Sequence, residues 1–536
     1  MKKQVKNKEE LYGLLPHLIH FYQSKGYYSF SVDSIMEKEH SFTLFLFAGR
    51  PYANSEILVQ GEELKMLGEA NLLSSMKGRK LMFSQFQSLA NSLVRYYENN
   101  GFPFAKVFLD SLDLENYNIK ALLKIEKGNY VVFDSIIVKG NIKLSRSYLY
   151  PYLGLRRNRA YNESIIRQIP SKLAALPFAT EIRSSGIEFV EDKAYLYIFL
   201  DKRKTNQFDG YLGLVPVDEK SGKVSVNGEL SLALKNVFTI GENIELQWRS
   251  TERYSQYLNV RANFPYLFRT PFGLDGNFVL DKRDTSYLTM NYQVGLQYSF
   301  LGNSYIKAFF DYTSSNVLSV GLIMVDDRNL DYVDYRKSMY GIECNFRKLD
   351  YLYNPRKGYS LMINGSVGRR KIVENGKVEP VIYEGVDMQT VRYRIVSKID
   401  GYIPLHKRWV LVLKLQGGTL FGKENYLNEL FKIGGMSTLQ GFDEESIYAS
   451  SYAIGTSELR FLFAKKSYLN LFFNGAWYEQ KRNNYYIHDT PYGFGLGFSF
   501  DTKAGMFYLS YALGKQFNNP ISFKTGKIHF GIKVGF

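Results

Sequence analysis

From about residue 204 to the C-terminus the chain is a succession of segments roughly ten residues long, in which apolar and polar positions alternate between polar turns, the pattern of a membrane barrel. The final stretch, 527–536, is apolar at every even position, while the odd ones are Lys, His, Gly, Lys and Gly. Leu469, Leu471, Phe473 and Trp477 form another such face, opposed by Asn470, Asn474 and Tyr478. A third runs through Tyr492, Phe494, Leu496, Phe498 and Phe500, opposed by Gly493, Gly495, Gly497, Ser499 and Asp501. Because successive strand residues point to opposite faces, one set meets lipid and the other a watery lumen. The inward glycines leave room in that lumen for something other than side chains. Counting segments gives about eleven before one long connection and five after it, and an even total of about sixteen is normal for a single-chain barrel. A barrel of that size is too wide for side chains to fill, so it holds a channel or a plug.

The long connection runs from Thr419 to Ser451, roughly 30 residues where two to six are usual. Its centre is rich in glycine and charge: Gly434-Gly435-Met436-Ser437-Thr438-Leu439-Gln440-Gly441-Phe442-Asp443-Glu444-Glu445-Ser446. A disordered loop would be poor in apolar residues. This one keeps Leu427, Leu430, Phe431, Ile433, Met436, Leu439 and Phe442, which predicts an ordered loop packed onto something.

The first 203 residues have a different texture and contain a repeat. Gly49-x-x-Tyr52-x-x-x-x-Ile57-Leu58-Val59-Gln60-Gly61 recurs as Gly128-x-x-Val131-x-x-x-x-Ile136-Ile137-Val138-Lys139-Gly140, with Ile57 and Ile136 79 residues apart. Each copy predicts the order strand, helix, helix, strand, strand. Phe86, Leu89, Ala90, Leu93 and Tyr97 give a helical stripe with Ser84 as N-cap and Asn99-Asn100-Gly101 as stop. In the next copy Asn162 caps a helix carrying Ile165, Ile166, Ile169 and Leu173. Residues 1–48 supply only the later part of such a unit, a helix through Leu11, Leu14, Leu15, Leu18 and Tyr22 and then two strands.

Composition narrows the partners. A net charge of +16 and a pI near 9.3 favour phosphate groups, in nucleic acid or in lipid headgroups. The basic residues are spread along alternating strands rather than gathered in a block, so no nucleic-acid partner is expected. Aromatic residues make up 16% of the chain, which suits girdles at two membrane interfaces; a large soluble all-β protein is the alternative composition leaves open. No apolar run of about 18 residues occurs, so a membrane can be crossed only by a closed barrel. Met1-Lys2-Lys3-Gln4-Val5-Lys6 carries the charge of a signal peptide without an apolar stretch after it, so the expectation is a signal already removed or a chain that starts inside the natural protein. The single cysteine, Cys344, alternates in phase with Ile342 and Phe346 and reads as a packed or lipid-facing thiol. The six histidines show no metal-binding spacing and no phosphate-binding glycine loop is found, so neither enzyme nor cofactor is expected.

The repeat's element order and size resemble the POTRA (polypeptide-transport-associated) domain. On that resemblance the chain divides into a partial unit over 1–48, POTRA-like domains over 49–127 and 128–203, and a barrel over 204–536 with its long loop at 419–451. A small sheet covered on one face by helices leaves an edge that accepts an extended client by strand addition. Spacer domains that hold the barrel off its partners fit each copy as well.

Four stretches, in order, resemble the Bam/Tam-type outer-membrane assembly factors and the two-partner-secretion transporters. They are the second-to-third strand turn at Leu234–Glu242, the mid-barrel turn at Asp350–Gly358, the long loop around Gly434-Gly435 to Gly441-Phe442, and the terminal Phe536. The resemblance implies an α+β set of periplasmic units followed by an all-β barrel in the outer membrane of a Gram-negative bacterium. It implies a non-enzymatic platform that inserts or exports unfolded polypeptide clients. Its surroundings would be lipid, lipopolysaccharide and accessory periplasmic lipoproteins. A dedicated secretion pore is the nearest alternative, and a passive porin or receptor the alternative of another class.

In that family the long loop folds into the lumen, where an arginine in a (Val/Leu)-Arg-Gly-(Phe/Tyr) tip pairs with an acid two strands on. Here the tip is Leu439-Gln440-Gly441-Phe442, and the strand expected to carry the acid has Asn474 on its lumen face. The expectation is an amide–amide hydrogen bond between Gln440 and Asn474 in place of the ion pair. Glu458 and Arg460 share a lumen face, and a wetted wall accounts for them as well as a site does. The first barrel strand carries Tyr211, Gly213 and Pro216, and the last Ile528, Phe530, Ile532 and Val534. Proline cannot donate to a ladder, so Pro216 fits either a weak seam between these strands or simple fraying. In the family that seam is proposed to open toward lipid.

Overall fold

The computed structural model describes residues 8–38, 41–51, 54–72, 80–115, 118–216, 224–250, 255–300, 304–319, 331–350, 354–464, 467–482, 485–502, 505–517, 519, 521 and 523–535. Two compact units are distinguished. One comprises residues 1–137, 156–168 and 186–197, the other 138–155, 169–185 and 198–536.

In the first unit α1 (Lys8–Ser24) precedes a hairpin of β1 (Ser31–Lys38) and β2 (Ser41–Phe47). The next repeat contains β3 (Asn54–Leu58), α2 (Glu62–Glu69), β4 (Lys80–Met82), α3 (Phe83–Asn99), β5 (Lys106–Glu115) and β6 (Asn118–Glu126). The helical stripe buries as its spacing demands. Leu89, Leu93 and Tyr97 of α3 close over Ile57, Leu123 and Ile125 of the sheet and over Val59 just after β3. Two details differ from the expectation. The sheet has four strands, in the order β4-β3-β6-β5, because the three-residue β4 is too short to show a period. Ser84 is not the cap, since α3 starts directly from β4 and places Ser84 in its first turn.

The last repeat contains β7 (Val132–Lys139), α4 (Arg146–Leu153), β8 (Arg159–Ala160), α5 (Glu163–Ala174), β9 (Ala179–Val190) and β10 (Lys193–Lys202), with sheet order β8-β7-β10-β9. Asn162 caps α5, its Oδ1 accepting from the Ile165 N–H at 3.1 Å. The same side chain donates to the Asn99 carbonyl at 2.9 Å, tying the end of α3 to the start of α5.

The second unit is dominated by a closed antiparallel barrel. Its strands before the long loop are β11 (Gln207–Pro216), β12 (Val224–Lys235), β13 (Asn243–Ser250), β14 (Gln256–Phe264), β15 (Phe272–Arg283), β16 (Tyr287–Phe300), β17 (Ser304–Val317), β18 (Asp334–Leu349), β19 (Gly358–Val373), β20 (Gln389–Pro404) and β21 (Trp409–Phe421). The loop carries a small hairpin of β22 (Phe431–Ile433) and β23 (Ile447–Ala449). After it come β24 (Ser451–Leu462), β25 (Tyr468–Arg482), β26 (Tyr485–Asp489), β27 (Tyr492–Thr502), β28 (Gly505–Lys515) and β29 (Lys527–Gly535). β26 and β27 both pair along β25 and form one wall strand broken before Tyr492, so the barrel has sixteen. Leu296, Ile342, Leu471 and Leu496 are exposed outside, while Asp275, Lys307, Asn470 and Asn474 are buried inside. The inward charges are matched: the Lys307 ammonium lies 2.9 Å from Asp275 and 3.4 Å from Glu343.

The turn between β12 and β13 is tied by its own hydrogen bonds and clasps α4. Asn236 accepts from the Gly241 N–H at 2.9 Å, and the Glu242 carboxylate accepts from the N–H groups of Phe238 and Ile240 at 2.6 and 3.3 Å. The Ser145 N–H donates to the Thr239 carbonyl at 2.8 Å. Tyr148 of α4 lies directly on Gly241, where φ is +76° and a Cβ would come within 2.0 Å of the Tyr148 ring. Tyr266, after β14, packs edge-on against Tyr148 with ring centroids 5.4 Å apart.

Candidate functional site

The connection between β21 and β24 is three residues shorter at its start than the alternation pattern suggests. β21 continues through Phe421, and Thr419 is paired with Ser451 as the last rung between β21 and β24. The rest is an ordered loop. Ile433, Leu439, Phe442, Ile447 and Ala449 form a buried cluster with Ile454, Ala476 and Tyr478 of the wall. Met436 is the exception among its apolar residues and is exposed.

The loop's root is held by charge. Glu429 accepts from Arg370 of β19 at 2.6 Å and from Arg392 of β20 at 3.2 Å. All three side chains are buried, and the Arg370 guanidinium also stacks over the Tyr426 ring at 4.9 Å. Asn428, beside Glu429, donates to the Ser315 hydroxyl at 2.9 Å and the Val333 carbonyl at 2.8 Å. These partners come from strands 37 to 113 residues distant, so no local spacing announces them.

The tip reaches β25, β27 and β28. Asn474 meets Gln440, but through the main chain: its Oδ1 accepts from the Gln440 N–H and its Nδ2 donates to the Gln440 carbonyl, both at 3.1 Å. The expected bond between the two side-chain amides is not formed, and Asn474 takes the peptide groups of Gln440 instead. The Gln440 Oε1 is buried without a hydrogen-bond partner among the described residues. The reason lies in the wall. A Cβ on Gly493 would lie 2.2 Å from the Gln440 carbonyl oxygen, and one on Gly514 2.5 Å from the Gly441 carbonyl oxygen. Glycine at both positions lets the loop backbone sit against the strand backbones, where the short Asn474 side chain reaches peptide groups. Gly441 supports this approach with φ at +99°.

Glu458 and Arg460 form a tight pair, 2.6 Å apart, on the lower wall. Glu458 also binds Lys414. Arg460 donates to Asn354 of the mid-barrel turn at 3.2 Å and stacks on Tyr468 at 4.8 Å. Every charged atom here is engaged with the protein, which makes the cluster a brace between β21, β24 and the turn.

At the seam the ladder nearly stops. β11 and β12 share ten rungs, among them Tyr211 with Glu229, Gly213 with Asn227 and Pro216 with Val224. Ile528, Phe530 and Ile532 of β29 are paired with Tyr511, Leu509 and Phe507 of β28. Between β11 and β29 the described residues make two rungs, Gln207 with Gly535 and Phe208 with Val534. Phe536 lies outside the described residues.

The Omp85 superfamily domain matches residues 223–535, more than half of the chain. The chain belongs to the Omp85 superfamily. The outer membrane protein assembly factor BamA of Buchnera aphidicola subsp. Acyrthosiphon pisum (strain APS) is 19% identical over 326 residues, 56% of this chain. The chain covers 50% of that relative, so it spans about half the length of the curated relative it matches. Among solved structures, CdiB from Acinetobacter baumannii superposes with a TM-score of 0.56 at 13% identity, covering 100% of both chains. CdiB from Escherichia coli gives a TM-score of 0.56 at 13% identity, covering 98% of both. These likenesses show a shared fold: POTRA-like units ahead of a sixteen-stranded Omp85 barrel.

Proposed function

We propose that this Omp85 barrel is a non-enzymatic outer-membrane platform that receives extended polypeptide clients on its POTRA-like units and inserts them into the membrane. The observation that carries the reading is the two-rung seam between β11 and β29. Beyond Phe208 the described residues of β11 form ladder rungs with β12 and none with β29. Unpaired strand edges are templates for another strand, and a client hairpin added there would leave the barrel sideways, into lipid. The POTRA-like units face the periplasm in this reading, with lipoprotein subunits as accessory partners.

A lumen occupied by a loop anchored at root and tip argues against a passive porin. A pore dedicated to one secreted partner shares the same wall and loop, and differs in which clients depend on it. Depletion of the protein in its own host tests the reading. Broad loss of barrel proteins from the outer membrane is the expected result. Loss of a single secreted protein would favour dedicated export, and a change confined to solute uptake would overturn both.

A further inference from the structure

The acidic run after the loop tip lies across the seam. Asp443 sits 2.7 Å from the ammonium of Lys527, the first residue of β29. Two residues on, Glu445 reaches the other side of the gap: Arg249 near the end of β13 at 2.9 Å, and Arg283 at the end of β15 at 3.6 Å. In the barrel order β29 is followed by β11, β12 and β13, so these contacts straddle the place where the ladder fails. The two rungs that do join β11 to β29 are at the opposite ends of those strands, at Phe208 and Val534. Further anchors divide in the same way. Gln440 and Gly441 are seated on β25, β27 and β28, while Lys432 binds Asp281 of β15.

We infer that Asp443 and Glu445 form an ionic strap that holds the two sides of the seam together at the end where, among the described residues, no backbone rung does. The inference rests on the seam being the working part of the platform proposed above. The strap is built to yield. Asp443 is 71% exposed, and ion pairs of that kind are weak and screened by salt. The Glu445 contacts are more sheltered, with both arginines and the carboxylate a quarter exposed or less. A loop held on the β25–β29 side by hydrogen bonds to its backbone as well as the Asp443 pair, and on the β13–β15 side by the Glu445 and Lys432 ion pairs, can release one side without leaving the lumen. An incoming strand that displaces β29, or a basic segment that competes for Glu445, would free the seam in this way.

The test measures seam closure in the full chain, reconstituted in phospholipid vesicles without client. In a Cys344→Ser background, cysteines replace Leu212 and Phe530, which would stand opposite each other if the register of Phe208 with Val534 continued. The rate of disulfide formation between them reports the closed seam. Asp443→Asn and Glu445→Gln are each expected to lower that rate about two- to five-fold, the range of a weak ion pair. Raising the salt from about 0.01 M to about 1 M, which shortens the screening length from roughly 30 Å to 3 Å, should slow the parent and leave the double variant little changed. Asp443→Lys should slow it, and Asp443→Lys with Lys527→Asp should restore it. If Asp443→Lys fails to fold, judged by its gel mobility with and without heating, the neutral variants and the salt series still decide. A rate indifferent to all these changes would overturn the strap. Because no client is present, a seam that responds while depletion leaves barrel proteins intact would sink the platform reading and leave the strap standing.

Discussion

Asn474 grips Gln440 by its peptide groups, one amide side chain satisfying both the N–H and the carbonyl of a single loop residue. The identity of the side chain at position 440 is thereby separated from the docking of the loop. A tip without the family's arginine can still be fixed in the lumen, because what is recognised is backbone.

This separation predicts an asymmetry. Asn474→Ala removes two hydrogen bonds to Gln440 and one to the Gly493 carbonyl, leaving buried peptide groups unpaired. It should destabilise the barrel by about 1–3 kcal/mol. Gln440→Ala removes a side chain whose Oε1 is already without a partner among the described residues, and should change stability by less than about 1 kcal/mol. Urea unfolding of the two variants from vesicles, followed by tryptophan fluorescence, distinguishes them; equal losses would show that the glutamine side chain is the anchor.

The wall beneath the tip should not tolerate a methyl group. A Cβ at Gly493 would meet the Gln440 carbonyl at 2.2 Å, with strand backbone behind it. Gly493→Ala is therefore expected to cost about 1–3 kcal/mol and to lift the tip from the wall. In planar bilayers it should show a larger or more frequent conductance than the parent. Gly455, with nothing near its Cβ position, is the control, and Gly455→Ala should behave as the parent does.

At the root, Glu429→Gln would leave Arg370 and Arg392 buried without their counter-charge. Removing one partner of such a cluster typically costs about 3–5 kcal/mol. The loop should become open to added protease from the outer face while the POTRA-like units keep their resistance. Resistance of the loop equal to the parent's would show that its apolar cluster suffices.

The clasp between α4 and the β12–β13 turn gives a fourth expectation. Gly241→Ala would put a Cβ 2.0 Å from the Tyr148 ring at a backbone angle that favours glycine. Hydrogen exchange at the Ser145 amide, bonded to Thr239, should rise strongly, with exchange in β16 to β20 unchanged. Unaltered protection at Ser145 would mean the ring simply moves aside.

Much of the fold is legible in the chain's periodicity. Alternation in 469–477 and 492–500 assigns lipid and lumen faces, because strand geometry allows a residue only two directions. The stripe Leu89, Leu93 and Tyr97 assigns the core of a repeat for the equivalent reason in a helix. The short β4 is not legible, since three residues carry no period. The partners of Glu429, Asp443 and Glu445 are not legible either, because barrel closure brings them from strands 37 to 196 residues away.

Periodicity and composition are thus enough to set the architecture: repeats, an even-numbered barrel, and one loop too long and too apolar to be free. Local chain geometry converts such patterns directly into structure, with no reference to distant residues. How that loop is held is a matter of tertiary contact. Asn474 lies on the main chain of Gln440, Glu429 between two arginines, and Asp443 and Glu445 on opposite sides of a two-rung seam. Those contacts depend on which strands become neighbours when the sheet closes and on how near two backbones can approach, and no stretch of the chain encodes either alone.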